Sequence, residues 1–171
     1  MRIVITDSSC LIDLKKGNLL RAMLELPFDF AIPQPLMDDD LLSLTEGEKE
    51  ELIEAGLQVI TLSGEQVSTV MRYRAEDPRP SVNDYFALVL SEEIDESILL
   101  TGDGTLQTIA QQKQIEVHGA IWVLDQLHEH ECLPVWMLLE AVRIFIEDPD
   151  VWLPRDELKQ REAVLQGQVQ D

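Results

Sequence analysis

The chain is poor in basic residues and cysteine and has no long apolar run, and each shortage disfavours a class of protein. Its 171 residues carry 13 Lys and Arg against 33 Asp and Glu, for a formal net charge of −20. General binders of nucleic acid or of anionic membranes need clustered positive charge, so neither class is expected. Two cysteines are too few for a disulfide-rich secreted domain, which favours a cytoplasmic location. The most apolar stretch, 135–146, contains Glu140 and Arg143 and is too short to span a membrane.

The pattern that is present is an alternation of short apolar strands with helices. The predicted strands cover residues 2–6, 29–32, 57–62, 97–101 and 115–118. Capping-box pairs mark the predicted starts of three helices, and they are Thr45 with Glu48, Ser63 with Gln66, and Ser81 with Asp84. This order predicts an α/β protein, a three-layer α/β/α fold with a five-stranded parallel sheet, followed by C-terminal helices. The length suits one such domain with its own core.

Aspartates follow several of the predicted strands. Asp7 directly follows the first strand, Asp103 stands two residues beyond the fourth, and the run 38–40 comes after the second. Asp84 opens the helix that follows a break at 76–80. The functional crevice of such a sheet lies beyond the carboxyl ends of its strands, so we expect these carboxylates to converge there.

Converging carboxylates point to a cation. Like charges at close range repel one another unless a cation lies between them, and oxygen-only ligands suit Mg²⁺ or Mn²⁺. A second interpretation stays open for each residue taken alone. Asp7 and Asp103 also fit as helix N-caps, and Asp84 fits as the acidic partner of Ser81 in a capping box.

Four segments of the chain resemble the PIN-domain nucleases. They are VITDSSCLIDL (4–14), PQPLMDDDL (33–41), SVNDYFALVLS (81–91) and LLTGDGTLQTIAQQKQIEVHG (99–119). The tail, from HGAIWVLDQLHEHECLP to VWLPRDELKQR, is similar to the helical extension of one PIN subgroup. The resemblance implies a PIN-like domain over residues 1–125 and a helical extension over 126–171, packed on the same domain.

The resemblance also implies an activity and a set of site residues. The activity is that of a metal-dependent endoribonuclease, in which Mg²⁺ or Mn²⁺ activates water to hydrolyse RNA. The pocket and its metal ligands would be Asp7, Asp40, Asp84 and Asp103. Asp40 fits the pattern of an acid before a leucine best, although glutamate is commoner there, and Asp39 is second. Ser8 and Thr101 match small hydroxyl positions that orient ligands or water.

The sequence also suggests substrate contacts and partners. Arg72, Arg74 and Arg79 surround Tyr73 and could bind RNA, or they could simply pair with acids such as Glu76 and Asp77. Many PIN proteins are toxins, so an antitoxin partner is implied. Exposed tryptophans on the C-terminal helices would favour a homodimer.

Two other functions compete with the nuclease. One is a catalytically weak PIN-like module that works through protein partners. The other is a haloacid-dehalogenase-like phosphohydrolase, which also places an aspartate after its first strand. That chemistry requires a second aspartate two residues later, where this chain has Ser9.

Overall fold

The computed structural model describes residues 1–170, and its centre is a five-stranded sheet. The strands are β1 (Ile3–Thr6), β2 (Asp29–Pro33), β3 (Gln58–Ile60), β4 (Ile98–Leu100) and β5 (Glu116–His118). They lie in the order β3-β2-β1-β4-β5, and every neighbouring pair is parallel. The predicted five-stranded α/β/α fold is confirmed.

Helices connect the strands and follow the last one. They are α1 (Ser8–Lys16), α2 (Leu20–Met23), α3 (Glu46–Glu54), α4 (Gly64–Glu76), α5 (Val82–Glu93), α6 (Gly104–Gln112), α7 (Ala120–Glu129), α8 (Val135–Glu147) and α9 (Arg155–Gln170). A single π-helical turn covers Leu36–Asp40. The three predicted capping boxes are present at the starts of α3, α4 and α5, which is why the sequence placed these starts correctly.

The strand order reverses between β1 and β4. From β1 the chain builds outward to β2 and β3, then returns to place β4 on the other side of β1. Thr6 of β1 pairs with Leu100 of β4, and the Asp7 backbone N–H donates to the Leu100 carbonyl at 2.9 Å. The loops after these two strands therefore leave the sheet side by side, as expected at a topological switch point.

The core covers both faces of the sheet. Val4, Ile5 and Leu99 are fully buried, because helices lie above and below the central strands. Helix α5 is buried from Tyr85 through Ser91 and packs beside β1, β2 and β4. This packing places the first turn of α5 near the end of β1.

The C-terminal helices contact the α/β core closely. Gly17, at the end of α1, approaches α8 so tightly that a Cβ there would lie 2.8 Å from the Phe145 ring. Leu158 and Leu165 bury one side of α9. Helix α7 runs across residue 125, so the expected boundary between domain and extension falls inside a helix. Within residues 1–170, no helix combines the length and the apolar character needed to cross a bilayer.

Candidate acidic active site

Asp7 is the buried centre of the site. It caps α1, and its Oδ1 accepts a hydrogen bond from the Cys10 backbone N–H at 2.9 Å. Its Oδ2 accepts from the Ser9 hydroxyl at 3.0 Å and from the Thr101 hydroxyl. The residue is only 2% exposed, and this burial raises its pKa to about 6. The hydrogen bonds oppose that rise, since they favour the ionised form.

Asp84 lies near enough to Asp7 for its charge to add to the rise in the Asp7 pKa. Its position comes from the capping box of α5. Asp84 Oδ2 accepts from the Ser81 backbone N–H at 2.9 Å, while the Ser81 hydroxyl accepts from the Asp84 N–H at 3.0 Å. One carboxylate oxygen is thus held by the start of its own helix.

Asp40 is tied to residues next to both of these aspartates. Its Oδ2 accepts from the Ser8 hydroxyl at 2.9 Å, and its Oδ1 accepts from the Asn83 side-chain amide at 2.7 Å. Ser8 follows Asp7 in the chain and Asn83 precedes Asp84, so Asp40 faces the same crevice as they do. Asp38 and Asp39 are exposed, and the hydrogen bonds of the described chain connect neither to the site.

Asp103, which follows β4, is connected to Asp7 through Thr101. It caps α6, with Oδ1 accepting from the Leu106 N–H at 2.8 Å. Its own backbone N–H donates to the Thr101 hydroxyl oxygen at 3.1 Å, and the same hydroxyl donates to Asp7. Thr101 therefore connects Asp7 with Asp103. Ser8, the residue after Asp7, connects the start of α1 with Asp40.

Four acids that are distant in sequence thus lie around one end of the sheet. A family model described as a PIN domain matches residues 3–165. This chain belongs to the PIN-domain family. Its fold is therefore of the nuclease type, and the match includes most of the C-terminal helices. No curated protein matches the chain significantly.

PIN domains typically use divalent metals, and the donor chemistry of this PIN domain fits that requirement. All four candidate ligands are carboxylates, which suits Mg²⁺ or Mn²⁺. One oxygen of Asp84 and one of Asp103 accept no hydrogen bond within residues 1–170. Across those residues, however, no three His, Cys, Asp or Glu side chains are grouped closely enough to hold a metal ion. The carboxylate oxygens have the chemistry that Mg²⁺ or Mn²⁺ prefers, but within residues 1–170 no three such side chains lie close enough together to hold the ion.

The three arginines proposed for substrate binding differ in their surroundings. Arg79 forms a bidentate pair with Asp77, at 2.9 and 2.7 Å, and this pairing lowers the Asp77 pKa to about 2. The alternative of simple pairing with acids therefore describes Arg79. Arg72 lies over the Tyr73 ring, 5.6 Å from its centroid, and Arg74 has a buried Nε with no hydrogen-bond partner within the described residues. Their role toward RNA stays a prediction.

Sequence reasoning missed Asn83 and Ser9. Asn83 is a polar residue in the first turn of a largely apolar helix, directly before Asp84, and that contrast was the available signal. Ser9 carries no comparable signal, because a serine in the first turn of a helix is ordinary. Its bond to Asp7 depends on the tight turn from β1 into α1.

Proposed function

We propose that this PIN domain is an Mg²⁺- or Mn²⁺-dependent endoribonuclease that hydrolyses phosphodiester bonds of RNA. The observation that carries the proposal is the pair of hydrogen bonds from Ser8 and Asn83 to Asp40. They hold the acid after β2 against the segments that carry Asp7 and Asp84. Asp7 and Asp84 can cap their helices without Asp40, so helix capping alone does not explain why Asp40 is held beside them.

The metal would be held by Asp7, Asp40, Asp84 and Asp103, and when bound it supplies an activated water and charge stabilisation for the departing oxygen. The protein's own part is to fix and ionise the ligands. Thr101 and Ser9 direct their hydroxyl protons at Asp7 Oδ2, which favours its charged form. Because the Asp7 pKa is about 6, the ligand set is fully ionised only above that pH without metal.

The decisive experiment compares Asp7→Asn and Asp40→Asn with Asp39→Asn on single-stranded RNA in Mn²⁺. We expect the first two to lose at least about 10- to 100-fold in kcat, because loss of a ligand should cost no less than loss of a group that only orients one. Asp39→Asn, an exposed member of the same acidic run, should cleave like the wild type. Undiminished cleavage by purified Asp7→Asn would overturn the proposed function.

A protein-interaction role is the second candidate, and one observation favours it. Within the described residues, no three metal-ligating side chains lie close together, and a PIN domain without nuclease activity would show the same arrangement. We propose an antitoxin as the partner, and the charge of −20 would favour a basic surface on it. We also propose a homodimer. Sedimentation of the pure chain, alone and with the product of a neighbouring small gene, tests both associations.

The phosphohydrolase alternative has the least support. Ser9 stands where that chemistry needs a second aspartate, and its hydroxyl donates to Asp7 instead of transferring a proton to a leaving group. The PIN-domain match across residues 3–165 supports the nuclease over it. Failure to release phosphate from a simple phosphomonoester, by a chain that cleaves RNA, would agree with this preference.

A further inference from the structure

An aromatic cleft lies beside the acidic site, at the carboxyl ends of β4 and β5. The loop after β4, the start of α7 and the segment before α9 form its walls, and its volume is about 560 Å³. The residues that line it include His118, Trp122, Asp125, Trp152 and Arg161. This volume lies in the range of clefts that hold small organic ligands.

The cleft and the acidic site share one loop. Gly102 lines the cleft and follows Thr101, whose hydroxyl donates to Asp7. A Cβ on Gly102 would lie 3.9 Å from the Ser9 hydroxyl, which donates to the same carboxylate. Gln107, also in the cleft wall, donates to the Thr101 carbonyl at 2.8 Å. A molecule that fills the cleft would therefore lie against the loop that carries Thr101 and Asp103.

The walls offer flat aromatic surface rather than free positive charge. Trp152 is 88% exposed, and Trp122 stacks on His118 with centroids 4.6 Å apart and an interplanar angle of 7°. Arg161 donates from Nε and Nη2 to the two carboxylate oxygens of Asp125, at 3.1 and 2.8 Å, in a bidentate pair. A phosphate would meet a neutralised arginine here, whereas a neutral aromatic ring would find a surface on which to stack.

We propose that this cleft binds one unpaired nucleobase of an RNA strand, stacked on Trp152, while an adjoining phosphodiester lies at the acidic site. The proposal rests on the proposed ribonuclease function. Stacking on tryptophan accepts every base, so the subsite favours single-stranded over paired RNA without selecting a sequence. Stacking would also supply binding energy that basic side chains usually provide, since this protein of net charge −20 has few of them.

The first test reads the cleft without any cleavage. The chain has three tryptophans, Trp122, Trp136 and Trp152, so its indole N–H groups give three NMR signals. Titration with adenosine should shift the signals of Trp152 and Trp122 and leave that of Trp136, which is exposed on α8, unchanged. AMP should act like adenosine. A response to AMP alone would mean that an anion is recognised and would overturn the proposal, as would no shift at Trp152.

The second test uses cleavage of single-stranded RNA in Mn²⁺. Loss of one stacked base on alanine substitution weakens binding roughly 5- to 150-fold. We therefore expect Trp152→Ala to raise KM within that range with little change in kcat. Trp152→Phe should retain most of the affinity, and Trp136→Ala, a matched exposed tryptophan, should leave KM unchanged.

The two tests distinguish failure of the nucleobase cleft from failure of the proposed ribonuclease activity. RNA cleavage with an unaltered KM in Trp152→Ala would overturn the nucleobase cleft and leave the nuclease standing. A shift of the Trp152 signal by adenosine in a chain that never cleaves RNA would overturn the nuclease and leave a nucleobase-binding cleft.

Discussion

Replacing Asp7 by asparagine should stabilise the metal-free protein at neutral pH. Burial raises the pKa of Asp7 from 3.8 to about 6, so the folded chain binds a proton more tightly than the unfolded chain. As pH rises between these values, the unfolded state ionises first and the free energy of unfolding falls. At roughly 1.4 kcal/mol for each pH unit, the ionised, buried Asp7 destabilises the fold by about 3 kcal/mol at neutral pH. An asparagine in its place would carry no such charge.

The measurement is urea unfolding of the wild type and Asp7→Asn in EDTA, at about pH 7.5 and about pH 4. We expect the variant to gain about 2 kcal/mol relative to the wild type on going from the lower to the higher pH, because the unfolded chain is already partly ionised at pH 4. Asparagine cannot accept from both Thr101 and Ser9 as the carboxylate does, but these hydrogen bonds lower the pKa of Asp7 and are therefore already included in its value of about 6. Asp39→Asn, fully outside this network, should show no such gain.

Divalent metal at about 100 times its Kd should cancel most of the stability difference between wild type and Asp7→Asn at neutral pH. A ligand that binds only the folded state at about 100 times its Kd adds about 2.7 kcal/mol of stability. Mn²⁺ should therefore raise the stability of the wild type and do much less for Asp7→Asn. An equal difference between wild type and variant at both pH values would refute the assignment of a buried, destabilising charge to Asp7.

Two further predictions concern neighbours of the site and the C-terminal helices. Thr101→Val removes a hydroxyl whose hydrogen bond lowers the pKa of Asp7. The acidic limb of the pH–rate profile should therefore move to higher pH by about one unit. Thr101→Ser keeps the hydroxyl and should leave the profile unchanged. Gly17→Ala should destabilise the chain by about 1–3 kcal/mol in thermal unfolding, because its Cβ would meet the Phe145 ring at 2.8 Å. Gly64→Ala, with open space around it, is the control, and equal melting of the two alanine variants would contradict close packing of α8 on α1.

Local chemistry made much of this fold predictable. The pairs Thr45 with Glu48, Ser63 with Gln66, and Ser81 with Asp84 are visible as spacing in the sequence, and all three form the expected reciprocal bonds. The strand positions follow equally from short β-branched runs bounded by polar residues.

Contacts between distant segments were the part that could not be predicted. The bond from Asn83 to Asp40 spans 43 residues, and no spacing rule relates the two. The cleft near Trp152 depends on where the segment before α9 lies against α7, which only tertiary packing determines. The pairing of Arg79 with Asp77, two residues away, is predictable from their spacing and is one of the two interpretations that the sequence offers for the arginines.

Three of the four aspartates also begin helices: Asp7 caps α1, Asp103 caps α6, and Asp84 completes the capping box of α5. Loss of such a cap destabilises a protein by about 1 kcal/mol, independently of any chemistry. A descendant of this chain without nuclease activity would still be selected to keep Asp84 and Asp103 for its folding. Retained aspartates at these positions are therefore weak evidence of activity in related chains. Asp40, which caps no helix, is the better marker.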